Sequence, residues 1–208
     1  MCNIYLVRHG ETYWNKLNIM HGQCDVPLNE TGKKQAENLA VELRDIHFDL
    51  CISSPLQRAR ATAEEILKFH STIPIYTDDR LMELYKGKLE GTYNNSEKLL
   101  HNERLEFLQK YDVESKAHFY KRVESFYSDI LSKYKDKSIL IVCHSGTVKM
   151  SNFCFKPDPV KNIVESYYDL HIKNCCCQLI TADKLPKEKP ILIEYDVSKE
   201  EYPWISTK

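Results

Sequence analysis

An arginine, a histidine and a glycine follow one another where the first apolar run of the chain stops. Ile4 to Val7 predicts a short buried strand, and Arg8, His9 and Gly10 come directly after it. In open α/β sheets, ligands bind just beyond the carboxyl ends of strands. A guanidinium beside an imidazole suits an anionic substrate and a nucleophile, and glycine lets the backbone approach a ligand closely. We therefore predict phosphate chemistry carried by His9.

Two more predicted strands end in groups of the same kind. The strand at 49–53 leads to Arg58 in the first turn of a helix, and the strand at 138–143 ends at His144, directly before another helix. If these strands are parallel neighbours, both side chains share one sheet edge with His9. Helix N-termini add free N–H groups and a positive dipole end. One such residue alone is commonly structural, but the set together predicts an anion site.

Strand and helix patterns alternate along the whole chain, which predicts one α/β domain over residues 1–208. The architecture that follows is a three-layer α/β/α sandwich with a mostly parallel central sheet. Asn29 is a predicted N-cap, and Ser54-Pro55 a predicted helix start. Residues 92–134 are expected to form a helical cap over one edge of the sheet, and residues 197–208 a loose tail. The predicted strands are 3–8, 49–53, 73–76, 138–143, 178–181 and 191–195.

Composition excludes several classes of protein. With 29 Lys+Arg against 30 Asp+Glu, the net charge of -1 argues against a nucleic-acid-binding or acidic-membrane-binding surface. No apolar stretch reaches the length of a membrane span, and the start of the chain leaves no room for an export signal. We therefore expect a cytoplasmic protein whose eight cysteines are reduced thiols. No Cys-x-x-Cys pair occurs, and Cys175 to Cys177 would alternate between strand faces, so we predict no metal site.

Further motifs, in order along residues 3–182, resemble those of the histidine phosphatase superfamily, the phosphoglycerate mutase-like proteins. The family signature begins with a strand ending in Arg-His-Gly, usually followed by Glu-Thr. The matching residues are Arg8 to Thr12, Trp14-Asn15, Gly22-Gln23-x-Asp25-x-Pro27-Leu28-x-x-x-Gly32, Ser53-Ser54-Pro55-Leu56-x-Arg58-Ala59, Thr62-Ala63, Leu81-x-Glu83, Gly87-x-x-Glu90-Gly91, Glu114-Ser115, Arg122-Val123, His144 and Asn174.

The resemblance implies a covalent phosphohistidine mechanism that needs no cofactor. His9 would attack phosphorus, and Glu83 would protonate the leaving oxygen and then deprotonate the attacking water. We expect cationic neighbours to depress the pKa of His9, which must be neutral to attack. The remaining expected site residues are Arg8, Arg58 and His144 around the phosphate oxygens, with Asn15 and Gln23 as further substrate contacts.

One residue departs from the family pattern. After His144 the family commonly has Gly-Gly, whereas this chain has Ser145-Gly146. The Ser145 hydroxyl is predicted either to cap the following helix or to touch the phosphate, and its side chain could narrow the pocket.

Three functions are compatible with these residues. The first is a phosphatase acting on small phosphorylated metabolites, from sugar phosphates and phosphoglycerate to phosphoserine and the nucleotide-loop phosphate of cobalamin synthesis. The second is a 2,3-bisphosphoglycerate-dependent phosphoglycerate mutase, but Thr92 to Val113 contains only Lys98, Arg104 and Lys110 as basic residues. The third is a non-catalytic phospho-ligand-binding module, which both His9 and Glu83 argue against. Specificity is expected to come from residues 92–120.

Overall fold

A five-stranded sheet lies at the centre of the computed structural model, which describes residues 1–94, 105–157, 167 and 170–187. The strand order is β3-β2-β4-β1-β5. Neighbours among the first four strands run parallel, and β5 runs antiparallel to β1. The strands are β1 Cys2–Arg8, β2 Leu50–Ser53, β3 Ile75–Thr77, β4 Ser138–Cys143 and β5 Cys177–Ala182.

Helices connect the parallel strands and cover both faces of the sheet. The α-helices are α1 Tyr13–Lys16, α2 Glu30–Leu43, α3 Gln57–Ile66, α4 Leu105–Tyr111, α5 Lys116–Lys133 and α6 Ser145–Phe155. Short 3-10 turns occur at Leu67–Phe69, Asp79–Leu81 and Gly87–Leu89. Among the described residues, no helix has the length and apolar character needed to span a membrane.

The alternation of side chains along β4 explains the layers. Ile139 and Ile141 belong to a buried cluster with residues of α5 and α6, whereas Leu140 and Val142 belong to a second cluster with residues of α2 and α3. Successive residues of a strand point to opposite faces, so an uninterrupted apolar run must be covered on both sides. The predicted three-layer α/β/α sandwich is confirmed.

Helix α5 corrects part of the prediction for residues 92–134. We expected a cap over one sheet edge, but α5 buries one side against the sheet, with Phe119, Val123 and Phe126 in the main core. The apolar residues of α5 have the spacing of a core helix. The many polar residues between them made this spacing hard to recognise in the sequence. Helix α4 lies apart from the sheet in a small cluster with Met20 and Leu89.

Other element boundaries differ by a few residues from the prediction. Helix α3 begins at Gln57 rather than at Ser54-Pro55, and the Ser54 hydroxyl does not cap it. Asn29 caps α2 as predicted, accepting a hydrogen bond from the backbone N–H of Gly32. The predicted strand at 191–195 and tail at 197–208 lie outside the described residues, as does the part of the predicted cap at 95–104.

Candidate active site

The parallel register brings the ends of three strands to one edge of the sheet. In the β1–β4 pair Arg8 lies opposite Cys143, and in the β2–β4 pair Ser53 lies opposite Val142. His9 and His144 therefore follow adjacent strands, and their ring centroids are 5.1 Å apart. A cavity of about 630 Å³ opens here and is lined in part by Arg8, His9, Arg58, Glu83 and Ser145.

His9 is held by its own backbone and by its ring. The residue is 4% exposed, its N–H donates to the carbonyl oxygen of Cys143, and its carbonyl oxygen accepts from Asn174 Nδ2. The ring Nδ1 lies 2.7 Å from the carbonyl oxygen of Gly10. Because a carbonyl oxygen only accepts, Nδ1 carries the hydrogen, and in the neutral ring the lone pair is on Nε2.

The surroundings of His9 favour that neutral ring. Burial, followed by the positive charges of Arg58 and Arg8, lowers the pKa of His9 well below its usual range. The sequence predicted the influence of the two arginines, and the structure adds burial as the larger cause. The imidazole is therefore available as a nucleophile at neutral pH and below.

His144 is also buried and neutral. Burial and the charge of Arg58 lower its pKa well below the usual range. Its Nε2 lies 2.8 Å from the Ser54 hydroxyl, and its Nδ1 has no hydrogen-bond partner among the described residues. The Ser54 side chain, which we expected to cap α3, instead orients this ring.

Two arginines bring positive charge to the site. Arg58 is 0% exposed and donates to the carbonyl oxygens of Cys24 and Gly22, while Arg8 donates to the carbonyl oxygen of Ile172. Burial lowers the pKa of Arg58 to about 10, so the guanidinium stays charged at neutral pH. The Nε atoms of Arg8 and Arg58 are buried and have no hydrogen-bond partner among the described residues. Both side chains line the cavity, so their guanidinium groups make it electrostatically favourable for an anion.

Glu83 also lines this cavity and belongs to an irregular segment, residues 82–86. Its Oε1 accepts from the N–H of Leu84 at 2.8 Å, and its Oε2 accepts from the N–H of Gly146 at 3.0 Å. Gly146 is required for this approach, because a Cβ atom there would lie 2.0 Å from Glu83 Oε1. Ser145 lines the cavity but does not cap α6, since the N-cap is His144.

The two predicted polar contacts differ in position. Asn15 lines the cavity, and its Oδ1 accepts from the N–H of Thr12 in a capping box at the start of α1. Gln23 is not among the cavity-lining residues, and its Nε2 donates to the carbonyl oxygen of Glu83 at 3.1 Å. The contact of Gln23 with substrate stays a prediction, and its observed contact is with the backbone of Glu83.

Sequence reasoning missed several residues of the cavity wall. His21, which no motif singled out, lines the cavity and bonds to the Thr12 hydroxyl. Lys86, Lys149 and Lys173 also line it. Lys86 lies three residues after Glu83 in the sequence, and this spacing was the one signal that could have placed it at the cavity. Lys149 and Lys173 carried no such signal.

No metal centre accompanies these groups in the part of the chain that the structure describes. There, no cluster of three or more His, Cys, Asp or Glu side chains could hold a metal ion. Cys175 has a positive φ of 50°, and β5 begins at Cys177, so the three consecutive cysteines do not form one face.

Known proteins share both this sequence pattern and this fold. The family model of the histidine phosphatase superfamily (branch 1) matches residues 4–185. Phosphoserine phosphatase 1 of Hydrogenobacter thermophilus is 33% identical over 152 residues, which are 70% of this chain and 72% of that protein. The 2,3-bisphosphoglycerate-dependent phosphoglycerate mutase of Cytophaga hutchinsonii is 33% identical over 156 residues, covering 70% and 73% of the two chains.

A solved structure extends the likeness to three dimensions. The phosphoserine phosphatase of Entamoeba histolytica, in complex with 3-phosphoglyceric acid, superposes with a TM-score of 0.70 at 25% identity. The match covers 86% of this chain and 90% of that one. With the family model spanning most of its length, the chain belongs to the histidine phosphatase superfamily, branch 1.

Proposed function

We propose that the protein is a phosphatase that hydrolyses small phosphorylated metabolites through a phosphohistidine intermediate on His9. The observation that carries this proposal is the contact of His9 Nδ1 with the carbonyl oxygen of Gly10, from which the tautomer of His9 follows. Its Nδ1 hydrogen is bonded to the Gly10 carbonyl, which leaves the Nε2 lone pair free, in a buried ring beside two arginines. Uncatalysed phosphate-monoester hydrolysis is extremely slow, and division into two transfers with neutralised oxygens lowers each barrier.

In the first step, His9 Nε2 attacks phosphorus and the bond from phosphorus to the leaving oxygen breaks. Glu83 gives its proton to that oxygen, so an alcohol leaves and a carboxylate stays behind. Arg8 and Arg58 supply charge and hydrogen bonds to the phosphoryl oxygens, and the neutral ring of His144 supplies a hydrogen bond. The carbonyl oxygen of Gly10 holds the Nδ1 hydrogen throughout.

In the second step, water attacks phosphorus and the bond from phosphorus to His9 Nε2 breaks. The carboxylate of Glu83 takes the proton from that water, which regenerates the acid for the next cycle. Phosphate leaves, and His9 returns to its neutral form with the hydrogen on Nδ1. One carboxyl group thus serves both steps, and no cofactor is consumed.

The decisive experiment combines a His9→Ala variant with trapping of the intermediate. Wild-type protein mixed with labelled substrate should yield an acid-labile, base-stable phosphoenzyme, and His9→Ala should lose both the label and turnover of para-nitrophenyl phosphate. The matched control is His47→Ala, whose side chain is 82% exposed, and it should behave as wild type. Turnover that survives in His9→Ala would overturn the mechanism. Absence of any phosphoenzyme would favour a phospho-ligand-binding module.

The cavity wall supports a substrate that carries a second anionic group. Lys86, Lys149 and Lys173 line the cavity in addition to the two arginines. Among the lining residues that the structure describes, the carboxylates are Glu11, which is bonded to Asn29, and Glu83. This surplus of cations suits a carboxylate beside the phosphate. The relatives named for phosphoserine and the structure holding 3-phosphoglyceric acid involve molecules of that kind.

Paired substrates test the preference. Phosphoserine and phosphoethanolamine differ by one carboxylate, and we expect a kcat/KM at least about tenfold higher for phosphoserine. Lys86→Met should reduce that ratio, while Lys34→Met, at a side chain 70% exposed on α2, should leave it unchanged. Equal kcat/KM values for the two substrates in wild-type protein would refute the second anionic group. A wider panel of phosphorylated metabolites would then identify the substrate.

The alternative function is the phosphoglycerate mutase reaction, which the relative from Cytophaga hutchinsonii supports. A mutase must hold a second phosphorylated site on its substrate and exclude water during transfer. Interconversion of phosphoglycerates that is faster than phosphate release would establish the mutase and overturn the phosphatase proposal.

The proposed chemistry is metal-independent, because two guanidinium groups neutralise the phosphoryl oxygens. Activity should therefore persist in EDTA, and a loss that one divalent ion restores would contradict the scheme.

We also propose a cytoplasmic location. All eight cysteines of the chain are free thiols, as is usual in a reducing compartment.

A further inference from the structure

The backbone around Glu83 is held by side chains from distant parts of the chain, among them Gln23, Thr147 and Arg122. Residues 82–86 form no helix or strand, so the carbonyl groups of Met82 and Glu83 need partners from elsewhere in the chain. Arg122 of α5 fills this need: its Nη1 donates to the carbonyl oxygens of Arg80 and Met82, each at 2.8 Å, and its Nη2 donates to that of Glu83 at 2.9 Å. An irregular segment thereby gains fixed anchor points directly at the proposed acid.

Glu114 fixes the guanidinium of Arg122 in turn. It accepts from Arg122 Nε at 2.7 Å and from Nη2 at 2.9 Å, so all five N–H groups of Arg122 have partners. The Arg122 and Glu114 side chains are 14% and 7% exposed. A bidentate pair of this kind is geometrically specific, and the compact ammonium of a lysine could not reproduce it.

Glu114 also grips the segment on the far side of Glu83. Its Oε2 accepts from the N–H of Tyr85 at 3.2 Å, and its Oε1 lies 2.8 Å from His118 Nδ1. Burial tends to raise the pKa of Glu114, but the bonds from Arg122 and its neighbours outweigh burial and hold that pKa below its usual value. The pair therefore brackets Glu83, with Met82 bonded on one side and Tyr85 on the other.

Arg122 acts from outside the catalytic cavity. Neither Arg122 nor Glu114 lines the cavity that contains His9, and both line a separate surface pocket behind the segment. Their contacts are with the backbone of the segment that bears the carboxyl group. Any effect of Arg122 on the reaction must therefore pass through the placement of Glu83.

We infer that Arg122, fixed by Glu114, is a positioning residue for the proton transfers of Glu83. This inference rests on the proposed function, in which Glu83 protonates the leaving oxygen. Misplacement of a catalytic group by about 1 Å can cost about a hundredfold in rate. A good leaving group needs little help from an acid, whereas an alkoxide must be protonated as it departs. Loosening Glu83 should consequently slow alkyl phosphates much more than nitrophenyl phosphate.

The test is the dependence of kcat/KM on the pKa of the leaving group, measured with a series from nitrophenyl to alkyl phosphates. Glu83→Gln defines the slope for loss of the acid. Arg122→Lys should lose at most about threefold with nitrophenyl phosphate and at least about tenfold with an alkyl phosphate, giving a steeper slope than wild type. If Arg122→Lys does not fold, Glu114→Gln tests the same bracket, with the same steepening expected.

The matched control is Arg80→Lys. The guanidinium of Arg80 bonds to Asp78 and Asp129 on the surface, so this variant should keep the wild-type slope. Equal losses for all leaving groups, or none, in Arg122→Lys or its substitute would overturn the inference while Glu83→Gln still steepens the slope. If Glu83→Gln itself leaves the slope unchanged, the proton-transfer role of Glu83 fails and the inference fails with it.

Discussion

His21 makes a quantitative prediction about stability in acid. It lies in the cavity wall, 9% exposed, with its ring centroid 6.5 Å from that of His9. Burial, followed by the positive charges of Arg58 and Lys86, lowers the pKa of His21 from 6.5 to about 3. The unfolded chain therefore takes up a proton at this histidine below its ordinary pKa, and the folded protein does not. Stability must fall as pH falls below 6.5, and the loss continues down to the folded pKa of about 3.

The size of the effect follows from these two pKa values. Between about pH 7.5 and about pH 5.5, proton uptake by the unfolded chain at His21 costs the folded state about 1.4 kcal/mol. His9 and His144, whose pKa values burial also lowers, act in the same direction, so the total loss in the wild type exceeds this figure.

Urea unfolding of wild type and His21→Gln at both pH values measures the effect of His21. Glutamine keeps a polar group facing the Thr12 hydroxyl but does not titrate. We expect the variant to lose about 1.4 kcal/mol less stability than wild type over that interval. The control His47→Gln removes an exposed histidine, hydrated in both states, and should lose as much as wild type. The same pH dependence in wild type and His21→Gln would refute the assignment of a buried, neutral His21.

Three further substitutions test other contacts. Gly146→Ala places a Cβ atom 2.0 Å from Glu83 Oε1, so turnover of an alkyl phosphate should fall by at least about tenfold, and unchanged steady-state kinetics would contradict that contact. Gly32→Ala places a Cβ atom 2.0 Å from the carbonyl oxygen of Glu11, a backbone atom with little room to move. Urea unfolding should show that the variant loses about 2 kcal/mol or more of stability. Wild-type stability would count against the close packing. Tyr127→Phe removes a buried hydroxyl bonded to Ser151 of α6, which keeps its hydrogen bond to the carbonyl oxygen of Thr147. The loss of stability by the same assay should therefore be only about 1 kcal/mol. A loss several times larger would show that Ser151 is left without a sufficient partner.

The sequence was informative where a pattern is local. Six consecutive residues of β4 predicted a strand buried on both faces, and the structure places it between β1 and β2. His9, Arg58 and His144 could be grouped because each follows a strand, and parallel strands end at a common edge. Asn29 was correctly predicted as a cap because its hydrogen bond reaches only three residues along the chain.

The rest depended on contacts that leave no local signal. Arg122 and its partner Glu114 were visible as parts of motifs, but the other partners of Arg122 are backbone carbonyl groups, which every residue has. The role of Ser54 depends on His144, which lies 90 positions away, so its proximity to proline suggested a cap instead. The position of α5 against the sheet is determined by tertiary packing. The many polar residues of α5 therefore gave a misleading indication of an exposed helix.

The separation in sequence between the parts of the site has a consequence for folding. Asn174 bonds to His9 across 165 positions, while Glu83 is held by Gln23 and Arg122, at separations of 60 and 39 positions. Contacts of such range form late in folding, because closing a long loop costs conformational entropy before the contact can stabilise the chain. During refolding, enzymatic activity should therefore return with the slowest phase and not with helix formation. During synthesis, the surroundings of His9 are complete only after Asn174 has been made, because that residue supplies one of its hydrogen bonds.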